Sequence, residues 1–237
     1  MIIFEDWGLT DYARAWERQK EYQARTVDLK TQNRRRDVPL PTPNYLVFCE
    51  HPPVFTLGKN GNPNHLLINP AILANRGVGY FPIERGGDVT FHGPGQIVAY
   101  PIFDLENFFT DLARYLRTLE EAIIRTMAEY GLRGERFPGY TGVWLDPHSP
   151  NARKIAAMGI KCSRWVTMHG FAFNVNTDLS YFDWIVPCGI RDKAVTSLSR
   201  ELGYAPDIND AKQKLKSHLF DLFGAARKDR PNRQERL

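Results

Sequence analysis

The sequence predicts an α+β fold, a mixed and largely antiparallel sheet flanked by helices. Three observations carry this reading. Elements run in the order helix, strands, helix, strands, helix, without the strict strand–helix alternation of a parallel βαβ protein. Two long stretches carry apolar residues at helical spacing behind an acidic or hydroxyl cap. The chain has 237 residues, 43% of them hydrophobic. That suffices for one sizeable core, and no Ser/Gly linker or composition break divides it. We therefore read residues 1–237 as one domain, with 226–237 a flexible basic tail.

Each element follows from its residues. Thr10 or Asp11 caps a helix whose face is marked by Tyr12, Ala15, Trp16, Gln19 and Tyr22, running to about residue 29. Residues 34–43 are charged, then Pro-rich, and read as a loop. Tyr45 to Glu50 form a buried strand, broken by His51-Pro52-Pro53 and resumed over 54–57. Residues 78–83, 89–92 and 97–102 are short strands separated by Arg85-Gly86-Gly87 and Gly93-Pro94-Gly95. A second helix starts at Thr110 or Asp111. Leu112, Tyr115, Leu116, Leu119, Ile123, Met127 and Tyr130 mark its apolar face, and Gly131 ends it. Strands follow over 142–145, 154–160 and 165–174, and a last helix, capped within 207–210, reaches about residue 223.

Charge and cysteine usage narrow the function classes. The formal net charge is +4, with a pI of about 8.9. The excess collects at Arg34-Arg35-Arg36 and in the tail over 227–236. Such runs are solvated ends or docking points for an acidic protein partner. No stretch interleaves Lys/Arg with aromatics as a nucleic-acid module does, and no window reaches the roughly 18 apolar residues of a membrane span. The three cysteines, Cys49, Cys162 and Cys188, form no CxxC pair. With no secretory signal at the start, a reducing, cytoplasmic location is expected.

Four segments carry chemistry. In Arg85-Gly86-Gly87-Asp88-Val89-Thr90-Phe91-His92-Gly93-Pro94-Gly95-Gln96, two glycine turns bracket one strand. Glycine lets backbone N–H groups approach a ligand, though tight turns alone read the same way. Neither a P-loop nor a dinucleotide fingerprint fits the spacing. Cys188 sits between Pro187 and Gly189, on a turn with little cover, whereas Cys49 lies among apolar strand residues. A buried small hydrophobe and a nucleophile both remain open for Cys188; a nucleophile requires a base or cation beside it. Lys154 opens the strand Lys154-Ile155-Ala156-Ala157-Met158-Gly159-Ile160. It is either a solvated strand end or, if desolvated, a proton acceptor for a thiol. Lys161, at the far end, is the competing lysine and is expected to face solvent. In Met168-His169-Gly170-Phe171-Ala172-Phe173-Asn174, His169 is a general base, a polar anchor or a core histidine. His92 and His169 lack a third ligand at sensible spacing, so no metal site is expected.

Taken together these segments resemble the lipoyl(octanoyl) transferase family. R-G-G-x-V-T-F-H-G-P-G-Q at 85–96, K-I-A-A-x-G at 154–159, H-G-x-A-x-N at 169–174 and P-C-G-I at 187–190 come in the family's order. Weaker similarity covers 50–58. The resemblance implies the fold of the biotin/lipoate protein ligase catalytic domain, with octanoyl moved from acyl carrier protein to lipoyl-domain lysines. It implies Cys188 as the acyl-thioester nucleophile and Lys154 as the lysine that lowers its pKa. It also implies an acyl pocket lined by Arg85, Gly86, Gly87, Asp88, Val89, Thr90, Phe91 and His92, by Ala157, Met158 and Gly159, and by His169, Gly170, Phe171 and Ala172. The implied donor is octanoyl-acyl carrier protein. The implied acceptors are lipoyl domains of 2-oxoacid dehydrogenase complexes and the glycine cleavage H protein. No cofactor is implied, because the thioester donor is already activated. An ATP-dependent lipoate or biotin ligase on the same fold, and an octanoyl amidotransferase between lipoyl proteins, are the rival enzyme readings; an inactive carrier-binding module is the non-enzymatic one.

Overall fold

The computed structural model describes residues 1–186 and 193–228, the last four as backbone only. The chain opens with β1 (Ile2–Leu9) and α1 (Tyr12–Asn33), then β2 (Asn44–Glu50) and β3 (Val54–Leu57). A 3-10 turn (Pro63–His65) and α2 (Pro70–Asn75) precede β4 (Gly79–Pro82), β5 (Val89–His92) and β6 (Gln96–Ile102). After α3 (Leu112–Ala128) come β7 (Glu135–Phe137), β8 (Tyr140–Leu145), β9 (Arg153–Ser163) and β10 (Val166–Asn174). The described chain ends with β11 (Ala194–Val195), α4 (Leu198–Leu202) and α5 (Ile208–Lys228).

The main sheet has the order β1-β2-β6-β10-β9-β8-β7, with β11 joined to β9. β1/β2 and β11/β9 are parallel and the other pairs of this sheet antiparallel. The mixed sheet flanked by helices is as the sequence predicts. Alternation in β2 shows why it reads as an unbroken apolar run. Leu46 and Phe48 join the core beneath α3 and α5, with Leu119, Ile123, Leu215 and Phe223. Tyr45, Val47 and Cys49 face the opposite layer, where α1 packs through Ala15. A second, three-stranded sheet, β4-β3-β5, packs its own core of Phe55, Leu73 and Phe91. Tyr12, at the start of α1, closes the junction between the layers against Val54 of the small sheet and Ile83 just past β4. No described helix is long and apolar enough to cross a membrane.

The helix starts follow their caps: Asp11 accepts from the N–H of Arg14, and Asp111 from that of Arg114. Several boundaries differ from the sequence reading. α1 continues one turn past residue 29, to Asn33. The strand expected over 78–83 is confined to Gly79–Pro82, and β10 starts at Val166. Arg164 and Trp165 instead form the β9–β10 turn, both at positive φ (51° and 64°), as a two-residue hairpin turn of the primed type requires. β1, α2, β7, β11 and α4 were not anticipated. α5 continues to Lys228, so the first residues assigned to the basic tail, 226–228, are helical; 229–237 lie outside the described residues.

Candidate functional site

The glycine segment is organised around a buried cation. Arg85 lies 8% exposed and wraps its own loop. Its Nη2 donates to the Thr56 carbonyl (2.8 Å), Thr56 Oγ1 (3.0 Å) and the Asp88 carbonyl (2.7 Å), and Nη1 to the Gly86 carbonyl (3.0 Å). The loop is pressed onto β9: the Gly86 N–H donates to the Ile160 carbonyl at 2.9 Å. Gly159 permits that approach, since a Cβ there would stand 2.4 Å from the Gly86 carbonyl oxygen. Gly87 adopts φ 92°, which glycine alone reaches without strain.

Between this loop, β9, β10 and the start of α1 lies a narrow cavity of about 60 Å³. It is lined by every residue the family resemblance implies for the acyl pocket except Gly86 and Phe91. Phe91 points the other way, stacked on Tyr181 with centroids 4.4 Å apart in the small-sheet core. β5 alternates, so Thr90 and His92 face the cavity and Phe91 cannot. Gly86 lines an adjoining open cleft of about 540 Å³ with Tyr140 and Ile160. Lys154 lines the cavity, the cleft and a further small cavity of about 20 Å³ that also touches Phe182 and Val195. Three lining residues escaped the sequence reading: Tyr12, Val98 and Tyr100. Tyr12 was read only as part of an apolar helical stripe. Val98 and Tyr100 sit in a strand buried at every position, where pattern gives no clue to which side chain meets a ligand.

A β-bulge aims Lys154. The single step from Val143 to Trp144 on β8 matches two steps on β9, from Ala156 to Lys154. Ile155 and Ala156 consequently both enter the main core, while Ala157 and Lys154 both line the cavity. Strict alternation would have buried Lys154 under α3 and turned Ile155 into the site. Gly142, at φ 125°, makes room for the irregularity; a Cβ there would meet the Ala156 carbonyl at 2.4 Å. Lys154 is 7% exposed, with Nζ 4.7 Å from the ring centroid of Trp144. Its carbonyl accepts from the Thr196 N–H at 2.9 Å, in register with β11. Lys161 sits at the outer end of β9, paired with Glu84, as expected of the solvent-facing lysine.

Two histidines, His92 and His169, line the cavity and a third, His51, packs behind its Tyr12 and Tyr100; burial holds all three neutral. The pKa of His51 is lowered to about 4; those of His92 and His169 are lowered to about 3, with Arg85 adding to the effect on both. Their tautomers follow from partners. His51 Nδ1 donates to the Thr10 carbonyl (2.6 Å), so Nε2 accepts from the Tyr100 hydroxyl (2.6 Å). Gln96 donates through Nε2 to the Phe91 carbonyl and Asn174 Oδ1, so its oxygen accepts from His92 Nδ1 at 2.8 Å. Asn174 passes the chain on, donating to the Thr196 carbonyl at 2.9 Å. His169 adopts φ 61° in a strand, with its N–H donating to Gln19 Oε1. Its buried Nε2 has no hydrogen-bond partner among the described residues. Such strain and an orphaned polar atom recur where a ligand completes a site. Burial pushes the Cys49 thiol up, consistent with an inert structural cysteine.

Cys188, with Pro187, Gly189 and Ile190, lies outside the described residues. The chain on either side is placed. The Val186 N–H donates to the His65 carbonyl at 2.8 Å, and Ala194 pairs with Arg153. Val186 and Lys193 line one cleft together with Phe182 and Val195.

Residues 11–220 match the model of the lipoyl protein ligase A/B catalytic domain. The octanoyltransferase of Flavobacterium johnsoniae is 57% identical over 225 residues, spanning 94% of this chain and 97% of its own. That of Christiangramia forsetii is 56% identical over 219 residues, spanning 92% and 94%. Among solved structures, the bi-partite lipoate protein ligase of Thermoplasma acidophilum overlays with a TM-score of 0.66 at 14% identity, covering 94% of this chain and 85% of that one. A lipoate-protein ligase A bound with ATP gives a TM-score of 0.66 at 13% identity over the same shares. At those identities the structural likeness is one of fold.

Proposed function

This chain belongs to the lipoyl protein ligase A/B catalytic domain family, and from that premise we propose that it moves octanoyl groups onto lipoyl-domain lysines through a thioester on Cys188. One observation carries the reading. The bulge in β9 holds Lys154 in an apolar cavity that a smaller cavity links, past Phe182 and Val195, to the cleft where the Cys188 segment leaves and returns. Cys188 is two residues from Val186, at most about 7 Å of extended chain.

The steps balance without a cofactor. Lys154 Nζ takes the Cys188 proton, and the thiolate adds to the thioester carbonyl of octanoyl-acyl carrier protein. The donor C–S bond breaks, the carrier thiolate recovers the proton from Lys154, and the octanoyl group rests on Cys188. The ε-amine of a lipoyl-domain lysine then adds to that carbonyl. Its surplus proton goes to Lys154 and on to the departing Cys188 thiolate, leaving an amide. A thioester formed from a thioester costs little free energy, and the covalent stop lets one protein leave before the next arrives. Donors for the intermediate's oxyanion come from outside the amides of Gly86 and Val89. Gly86 donates to Ile160, and Val89 to Asp88 Oδ1 at 2.8 Å. The acyl chain lies against Ala157, Gly159, Gly170 and Ala172, small residues that leave the cavity open.

Incubation with octanoyl-acyl carrier protein followed by intact mass measurement tests this. An octanoyl increment removed by hydroxylamine and absent in Cys188→Ala supports the reading, and Lys154→Met is expected to slow its appearance about 10²–10⁴-fold. No increment in the native chain under turnover conditions refutes it. Cys188→Ala protein that still acylates a lipoyl domain from free octanoate and ATP would assign the chain to the ligases instead.

A further inference from the structure

The loop between the small sheet and α2 joins the two halves of the site. Asn62 caps the 3-10 turn, accepting from the Asn64 N–H at 3.0 Å. At the turn's end, His65 Nδ1 donates to Asp88 Oδ2 in the glycine segment. The other oxygen, Oδ1, accepts from the N–H groups of Asn62 (3.1 Å) and Val89 (2.8 Å), and Val89 lines the cavity. From the same residue the main chain turns the other way. The His65 carbonyl accepts from Val186, Leu66 bridges to Ile185, and the Leu67 N–H donates to the Trp184 carbonyl at 2.8 Å. The side chain of His65 thus grips the cavity wall and its backbone grips the segment 184–186 that precedes Pro187-Cys188.

We propose that His65 is a positioning residue for acyl transfer, holding the acyl cavity wall, through Asp88, against the chain that enters the nucleophile segment, through Val186. This rests on the Cys188 reading above. His65 acts through its neighbours: its ring is committed to Asp88, and its carbonyl to Val186. Both groups of the His65–Asp88 pair are largely buried, at 27% and 15% side-chain exposure, so solvent screens the contact only in part. An error of about 1 Å in such a placement costs on the order of 10²-fold in rate, because the thiolate must meet the thioester carbonyl within a near-attack geometry.

Single-turnover acylation by octanoyl-acyl carrier protein, followed by intact mass, is the test. His65→Ala is expected to slow acylation about 10- to 100-fold, with the half-saturating donor concentration unchanged within about twofold. His65→Asn, whose Nδ2 stands where Nδ1 stood, is expected to recover most of the rate. His65→Phe, which keeps the ring's bulk without the donor, replaces the alanine variant if that protein does not fold. Loss of rate that asparagine does not recover, or a loss confined to donor affinity, overturns the proposal. If the native chain gains no hydroxylamine-labile octanoyl mass, the Cys188 reading falls. If it does and the His65 variants keep pace within about twofold, the positioning role alone falls.

Discussion

Ala157→Leu should shorten the acyl chain the enzyme accepts. Ala157 lines both the narrow cavity and its smaller neighbour, three residues along β9 from Lys154. Leucine adds three carbons at that wall. With about 60 Å³ available, they displace roughly three methylenes of a bound octanoyl chain, since the surrounding β9–β10 ladder is continuous and leaves little room to retreat. At about 0.8 kcal/mol per buried methylene the loss is about 2.4 kcal/mol, or about 60-fold in kcat/KM for octanoyl donor. Butyryl donor, too short to occupy the far cavity, should lose less than about threefold. The assay is transfer to a lipoyl domain from a series of acyl-acyl carrier proteins, with thermal melting to confirm folding. Equal losses for butyryl and octanoyl donors would show that the chain does not lie along Ala157.

Two other perturbations probe the frame of the site. In Gly170→Ala the new Cβ would stand 2.2 Å from the Ala99 carbonyl oxygen and 2.6 Å from Pro101 Cδ. The β6–β10 ladder must part, at a cost of about 1–3 kcal/mol, read as a fall in Tm of roughly 3–10 °C; an unchanged Tm contradicts the packing. The pH dependence follows from the buried histidines. Folded values of about 4 for His51 and about 3 for His92 and His169 lie below the unfolded value of about 6.5. Below that value the unfolded chain binds protons the folded chain refuses. Stability is therefore full above about pH 6.5 and declines as pH falls toward 4, by up to about 1.4 kcal/mol per pH unit for each histidine. Denaturant midpoints across pH 4–7 measure this, and His51→Gln should flatten the slope by about a third; a flat native profile contradicts burial of the neutral rings.

The sequence disclosed what depends on local order. Asp11 and Asp111 announced two helix starts, and the apolar run from Tyr45 announced a strand buried on both faces. β1 was hidden because Glu5 and Asp6 break its apolar alternation. Glu5 is held by Trp7 Nε1 at 2.6 Å on its own strand and, across from α1, by Arg18 Nη2 at 3.2 Å and the Tyr22 hydroxyl at 2.9 Å, partners that alternation does not reveal. The cavity residues were legible as motifs, but Tyr12 reaches the site only because α1 crosses the junction of two sheets. Nor does any periodicity in Lys154-Ile155-Ala156-Ala157 disclose a bulge, which exists only against β8.

That bulge has a consequence for anyone who would move the site. Alternation along a strand is a parity, and β9 changes parity once, between Ala157 and Lys154. A lysine grafted at the matching position of a regular strand would keep its neighbours and arrive on the wrong side of the sheet. The transferable unit is larger: two strands, the extra residue between them, and Gly142, whose missing Cβ leaves space for the Ala156 carbonyl. What a lineage must preserve here is the register of β9 against β8, and a substitution at Gly142 that leaves Lys154 in place can still lose it.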